Sequence, residues 1–160
     1  MNYPAILLLW FVLSGVLHAQ GPQTKCPRNF EGKNLAVAKQ QLQKRKGDTV
    51  AFDAEVVAIE KGYNDKPYFK VKLDNDENVW IASLLTGNHV RLGRKLRLLG
   101  YIDSVAGDDE IARKYNGDGI QIRVFAILDL ESKNLQISDA FDAEAKEWLS
   151  GIIPKRNQYQ

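Results

Sequence analysis

Six residues in the middle of this chain, Tyr68, Lys70, Lys72, Trp80, Arg97 and Tyr101, combine flat aromatic rings with positive charge. Such a set stacks planar groups and holds anions, through dispersion, cation–π contact and charge. Catalytic chemistry has less to work with. Beyond Ala19 the one histidine is His89, in an irregular stretch. Ser83 and Ser104 have no glycine-elbow context, so a nucleophile triad has no anchor. Gly117-Asp118-Gly119 lacks the Lys-Ser/Thr that follows a phosphate-cradling loop. For a metal, the soft ligands past Ala19 are Cys26 and His89, 63 positions apart. Asp74-Asn75-Asp76 hints at a calcium loop, but no Gly stands at its sixth position and no Glu at its twelfth. The Asp108-Asp109-Glu110 run reads as a solvated loop. No catalytic residue, cofactor or metal is expected.

The elements that must position the six follow from periodicity. Leu35, Ala38 and Leu42 recur at helical spacing from Asn34, and Lys44-Arg45-Lys46 then Gly47 close that helix. From Asp48 the period drops to two. Val50, Phe52, Ala54 and Val56 alternate with Ala51, Asp53 and Glu55, as in a strand with one buried face. Gly62-Tyr63-Asn64-Asp65 turns the chain. Phe69, Val71 and Leu73 make a second strand, Val79 and Ile81 a third, and Leu96, Leu98 and Ile102 a fourth. Gly100 inside the fourth strand marks a bulge or bend. Val105 to Gly119 reads as a long loop. Ile120, Ile122, Val124, Ala126 and Leu128 make the inner face of a fifth strand, with Gln121, Arg123, Phe125 and Ile127 on its other face. A last helix, capped by Ser138 or Asp139, carries Phe141, Ala145, Trp148 and Leu149 on one face, with Gly151 and Pro154 to stop it.

Five short strands with a bend glycine predict a mainly β fold: a five-stranded Greek-key OB-fold barrel, with a preceding N-terminal helix and a C-terminal docking helix. Alternation then sets the six site candidates outward, Tyr68, Lys70 and Lys72 on strand two, Trp80 on strand three, Arg97 and Tyr101 on strand four. OB barrels bind through the face of strands two and three. The same alternation has a plainer reading, which comes first. Aromatics on strand faces pair for stability, and Lys on a strand discourages edge-to-edge association.

The chain is 160 residues long, 44% hydrophobic and 26% charged, with a formal charge of +2. That length suits one ordinary domain. Met1 to Ala19 contains no charged residue. Its apolar run, Ala5 to Leu17, is thirteen residues, short of the roughly 20 a spanning helix needs. It suits the h-region of a secretory signal peptide cleaved after Ala19, although the Met-Asn-Tyr-Pro start carries no Lys or Arg; the alternative is an uncleaved anchor. Residues 20–32, with Gly21, Pro22, Pro27 and Gly32, read as a flexible tether, residues 33–153 as the domain and 154–160 as a tail. Residues 25–46 hold seven basic side chains and one acid, whereas from Gly47 onward 15 basic face 19 acidic. A net charge of −4 there opposes a groove that tracks a phosphate backbone.

The order helix, Gly47-Asp48-Thr49-Val50, five strands, with Gly93-Arg94-Lys95-Leu96-Arg97-Leu98-Leu99-Gly100-Tyr101-Ile102 as the fourth, resembles the exported bacterial OB-fold proteins. These are small periplasmic domains with a signal peptide and a preceding helix. The resemblance covers about residues 34–131; the Trp148 helix lies beyond it, and the Val105–Gly119 loop is longer than expected. It implies a periplasmic or secreted, non-enzymatic binding module. The expected partner is a small charged molecule, a peptide or a protein, held on the strand two–three face. The alternatives are a single-stranded nucleic-acid binder, with Tyr68 and Trp80 stacking bases, and an envelope interaction protein without a small ligand.

Overall fold

The computed structural model describes residues 25–61, 66–87, 90–105, 110–117 and 119–155. The expected signal segment, the 62–65 turn, His89 and the 106–109 acids lie outside these residues, as do 156–160 of the tail.

Helices α1 (Gly32–Gln40) and α2 (Leu42–Arg45) lead into strand β1 (Thr49–Lys61). Gly47 between them takes φ 83°, the left-handed stop expected there. Strands β2 (Pro67–Lys72), β3 (Asn78–Ser83), β4 (Lys95–Ser104) and β5 (Ile120–Asp129) follow. The long β1 serves two neighbours: Thr49 to Glu55 pair with β4, and from Glu55 onward, through a register shift at Val56/Ala58, it pairs with β2. β2 pairs with β3, β4 with β5, and a short parallel pairing of β3 with β5 closes the ring. This is the five-stranded barrel of the OB fold. The alternating apolar residues fill it: Val50, Phe52, Phe69, Val71, Ile81, Leu98 and Ile122 are all buried in one cluster, to which α1 adds Leu35 and Ala38.

The inner face of β5 is not the one that strict alternation predicts. Leu99 pairs with Ala126 and Gly100 with Val124, so Phe125 is an extra residue opposite that step. A bulge of this kind reverses every later side chain. Ile127 therefore enters the barrel, while Phe125, Ala126 and Leu128 face outward. Gly100 permits it, since a Cβ there would run into the Arg123 carbonyl.

Those outward residues need cover, and the chain ends supply it. A sixth strand, β6 (Leu135–Ile137), pairs with β5; three residues gave no alternation to detect. A 3₁₀ turn over Asp139–Phe141 precedes helix α4 (Asp142–Leu149); neither Ser138 nor Phe141 caps with its side chain. Phe141 stacks on Phe125 with ring centroids 4.4 Å apart, and Trp148 is fully buried. The C-terminal helix thus docks as expected.

Residues 25–31, read above as tether, lie packed between α4 and the barrel. Cys26 is 2% exposed and Phe30 3%. The Trp148 indole N–H donates to the Pro27 carbonyl at 2.8 Å. Phe30 meets Phe52 with centroids 5.6 Å apart. Asn29 substitutes for a neighbouring strand: its Oδ1 accepts from Ala51 N–H at 2.7 Å and its Nδ2 donates to the Thr49 carbonyl at 2.9 Å. Proline and glycine gave this segment a linker's composition, yet its partners are distant in sequence. The Val105–Gly119 stretch also differs from the expected loop: it contains helix α3 (Glu110–Asn116).

Arg94 grips Asp129 at the end of β5 with two hydrogen bonds of 2.8 and 2.9 Å, and the Glu131 and Ser132 amides donate to the same carboxylate. Hydrogen bonding from Arg94 holds its pKa down at about 2. A depressed carboxylate contributes stability that is complete above the unfolded value of about 4 and lost as pH falls through the folded one. Asp129→Asn should therefore destabilise the protein at neutral pH, with the gap from wild type narrowing below about pH 4 and closing near the folded pKa of about 2 in a urea-melt series. Trp148→Ala should cost about 3–5 kcal/mol, and should turn the Cys26 thiol from inert to reactive towards a disulfide reagent in native buffer. An unchanged melt with an unreactive thiol would remove Trp148 from the packing.

Candidate functional site

The outer face of β2 and β3 is assembled by cross-strand register. Tyr68 stands opposite Ala82, Lys70 opposite Trp80, and Lys72 opposite Asn78. Helix α3 lies on one end of this face. Ala112 is fully buried under it, against Tyr68 and Ala82. Tyr115 stacks on Tyr68 at 5.4 Å and reaches Trp80 at 4.1 Å, while Tyr68 and Trp80 stack at 5.9 Å. Three aromatic rings thus form one continuous cluster.

Their exposures assign different roles. Tyr68 is 5% exposed and serves as the base of the cluster. Its hydroxyl accepts from Asn116 Nδ2 at 2.6 Å and from Gln121 Nε2 at 3.2 Å. Trp80 and Tyr115 are half-buried and present ring surface to solvent. Lys114 Nζ stands 4.9 Å from the Tyr115 ring centroid. Lys70, beside Trp80, forms no ion pair with any described residue. The arrangement can stack a planar group on Trp80 and Tyr115 and neutralise an anion with Lys70 and Lys114.

The six candidates therefore do not form one site. Tyr68, Lys70 and Trp80 come together. Lys72 lies at the far end of β2, where it pairs with Asp76 at 2.7 Å. Arg97 is on another side of the barrel. It holds Asp53 through two bonds of 2.7 and 3.0 Å and donates to the Cys26 carbonyl at 2.9 Å. The bond to Asp53 raises its pKa and keeps it charged. Tyr101 packs beside the stacked Phe125–Phe141 pair, with centroids 6.4 and 6.1 Å away, and burial pushes its phenol up. Both are structural here.

Lys114, Tyr115, Asn116 and Gln121 join the face without having been singled out from the sequence. A signal for α3 was present: Glu110 opens it, Ile111 and Tyr115 stand four apart, Arg113 and Lys114 close it, and Gly117 has φ 61°. Among the described residues no cluster of three His, Cys, Asp or Glu side chains is placed to hold a metal ion, and no helix is long and apolar enough to cross a membrane.

No family model matches the chain, and no curated protein does. Among solved structures, a replication protein A heterotrimer bound to ssDNA is similar at 14% identity. The match covers 64% of this chain and 67% of that one, with a TM-score of 0.36, too loose to carry a residue's role across.

Proposed function

We propose that this protein is an exported, non-enzymatic OB-fold binding module that takes a small anionic ligand with a planar group on the outer β2–β3 face. The observation that supports this is the pairing of Trp80, half-exposed against Tyr115, with Lys70, a cation without a described ion partner. A partly exposed ring beside an ammonium with no ion partner among the described residues offers both halves of such a ligand a contact. Tyr68 and Gln121 fix the floor beneath it. Export to the periplasm or beyond rests on the uncharged stretch from Met1 to Ala19.

Single-stranded nucleic acid is the second reading, because bases stack on the same rings. The net negative charge from Gly47 onward weighs against it.

Cleavage after Ala19 leaves Trp80 and Trp148 as the tryptophans, and Trp148 is fully buried, so emission changes on titration report Trp80. Naphthalene-2-sulfonate should quench it, and Lys70→Glu should weaken that binding about tenfold. Equal quenching in Trp80→Phe would overturn the assignment. Tighter binding of an oligothymidylate, falling steeply with salt, would replace it with the nucleic-acid reading. Mass spectrometry of exported material should find Gln20 at the N-terminus; an intact Met1 would refute cleavage.

A further inference from the structure

A second site lies away from the β2–β3 face, at a gap in the edge of β1. In a strand, the N–H and C=O of successive residues point to opposite edges. The even-numbered residues here face β4: Val56 N–H donates to the Arg94 carbonyl at 3.0 Å, and Ile102 N–H donates to the Asp48 carbonyl at 3.0 Å. The odd-numbered ones face the other way. Ala51 is covered there by Asn29, whose side chain accepts from its N–H, and by the Asn29 and Phe30 amides, which donate to its carbonyl at 3.0 and 3.1 Å. Glu55 is covered by β2, where it stands opposite Lys72. Asp53 falls between them. Its backbone N–H and C=O point at the same edge, and no described residue pairs with them.

The gap has a structural cause on each side. After Phe30 the chain leaves the edge to begin α1. After Lys72 it leaves again, because Leu73 N–H bonds the Glu77 carbonyl at 2.8 Å across a tight turn in which Asp76 takes φ 64°. The two departing segments are locked to each other. Gly32 N–H donates to Asp74 Oδ1 at 2.6 Å, and a Cβ on Gly32 would collide with Asp74 and Asn75.

The space left between them is a cleft of about 480 Å³, adjoining a second of about 310 Å³; Asp53, Leu73 and Asp74 line both. The larger is within the range of small-ligand sites. Its floor is apolar, from Phe30, Phe52 and Leu73. Its rim carries both signs: Arg28 and Lys33, with Glu31 and Asp74. The Asp53 carboxylate is already held by Arg97 and Arg28, so it adds no free charge. Lys33 pairs with Glu31 at 2.6 Å and Arg28 with Asp53 at 3.0 Å, so the rim is largely charge-matched, and what the cleft offers a ligand is the Asp53 backbone donor and acceptor, the pair that an extended peptide residue matches.

We propose that the cleft between residues 28–34 and the 72–74 end of β2 binds a short extended peptide, one residue of which pairs with the Asp53 N–H and C=O and fills the gap in the β1 edge. The pairing is β-strand addition on the scale of one ladder step, carried by the backbone pair of Asp53 over the apolar floor. It is independent of the aromatic face.

Two measurements on the isotopically labelled protein test it. In amide exchange of the free protein, Asp53 should exchange at least about tenfold faster than Ala51 and Glu55. Equal protection at all three would close the gap and end the proposal. On titration with tri-alanine, the Asp53 and Gly32 amide resonances should shift and Asp53 exchange should slow. A tri-alanine methylated on its central amide nitrogen cannot donate to the Asp53 carbonyl and should bind about tenfold more weakly. Equal binding of the methylated peptide, or no shift at either amide, would overturn the site.

Discussion

One hydrogen bond organises the outside of this barrel, that from the Trp148 indole to the Pro27 carbonyl. A buried indole N–H needs an acceptor, and leaving it unpaired costs more than the bond itself contributes. With Pro27 as that acceptor, the 25–31 segment is pinned over β1. Three further contacts depend on that placement: the Cys26 carbonyl accepts from Arg97, Asn29 covers the Ala51 edge, and Phe30 meets Phe52. Arg97 in turn holds Asp53 in place. The charged pair is part-buried, a state that removal of one partner makes costly. The same segment shapes one wall of the peptide cleft, so packing at α4 sets geometry at Asp53.

The barrel interior was legible because its signal is a strict period of two. Alternation sets Val50, Phe52, Ala54 and Val56 in β1, and Phe69 and Val71 in β2, inward, and all six are buried there. The docking helix was legible for the same kind of reason, since Phe141, Ala145 and Trp148 share one stripe. The failures each have a local cause. Alternation cannot reveal an inserted residue, so the Phe125 bulge moved Ala126 and Leu128 to the outside unannounced. Charge and glycine masked α3, whose seven residues offer barely two turns of pattern. Composition cannot see a partner far along the chain, and so the 25–31 segment looked like a linker.

The site was half legible, for a geometric reason. Outward parity is a property of a strand, but the outside of a closed barrel points in all directions. Tyr68, Lys70 and Trp80 share a direction because β2 and β3 are neighbours in register. Arg97 and Tyr101 are equally outward on β4 and face a different sector, under the 25–31 segment and the 3₁₀ turn that carries Phe141. Periodicity separates inside from outside; only strand order tells one outside sector from another. Helix α3 then changed the chemistry of the β2–β3 sector, converting Tyr68 from a surface ring to a buried support and putting Tyr115 beside Trp80.

The clasp between Pro27 and Trp148 joins residues 121 positions apart. Contacts of that span are the last to be rewarded as a chain folds, because closing so large a loop must come before the gain. During synthesis the outer layer over β1 and β4 stays open until the final helix has emerged. The thiol of Cys26 is accessible throughout that interval and is sealed only when the clasp shuts. Protection of this single thiol from a disulfide reagent is therefore a clock for the completion of folding.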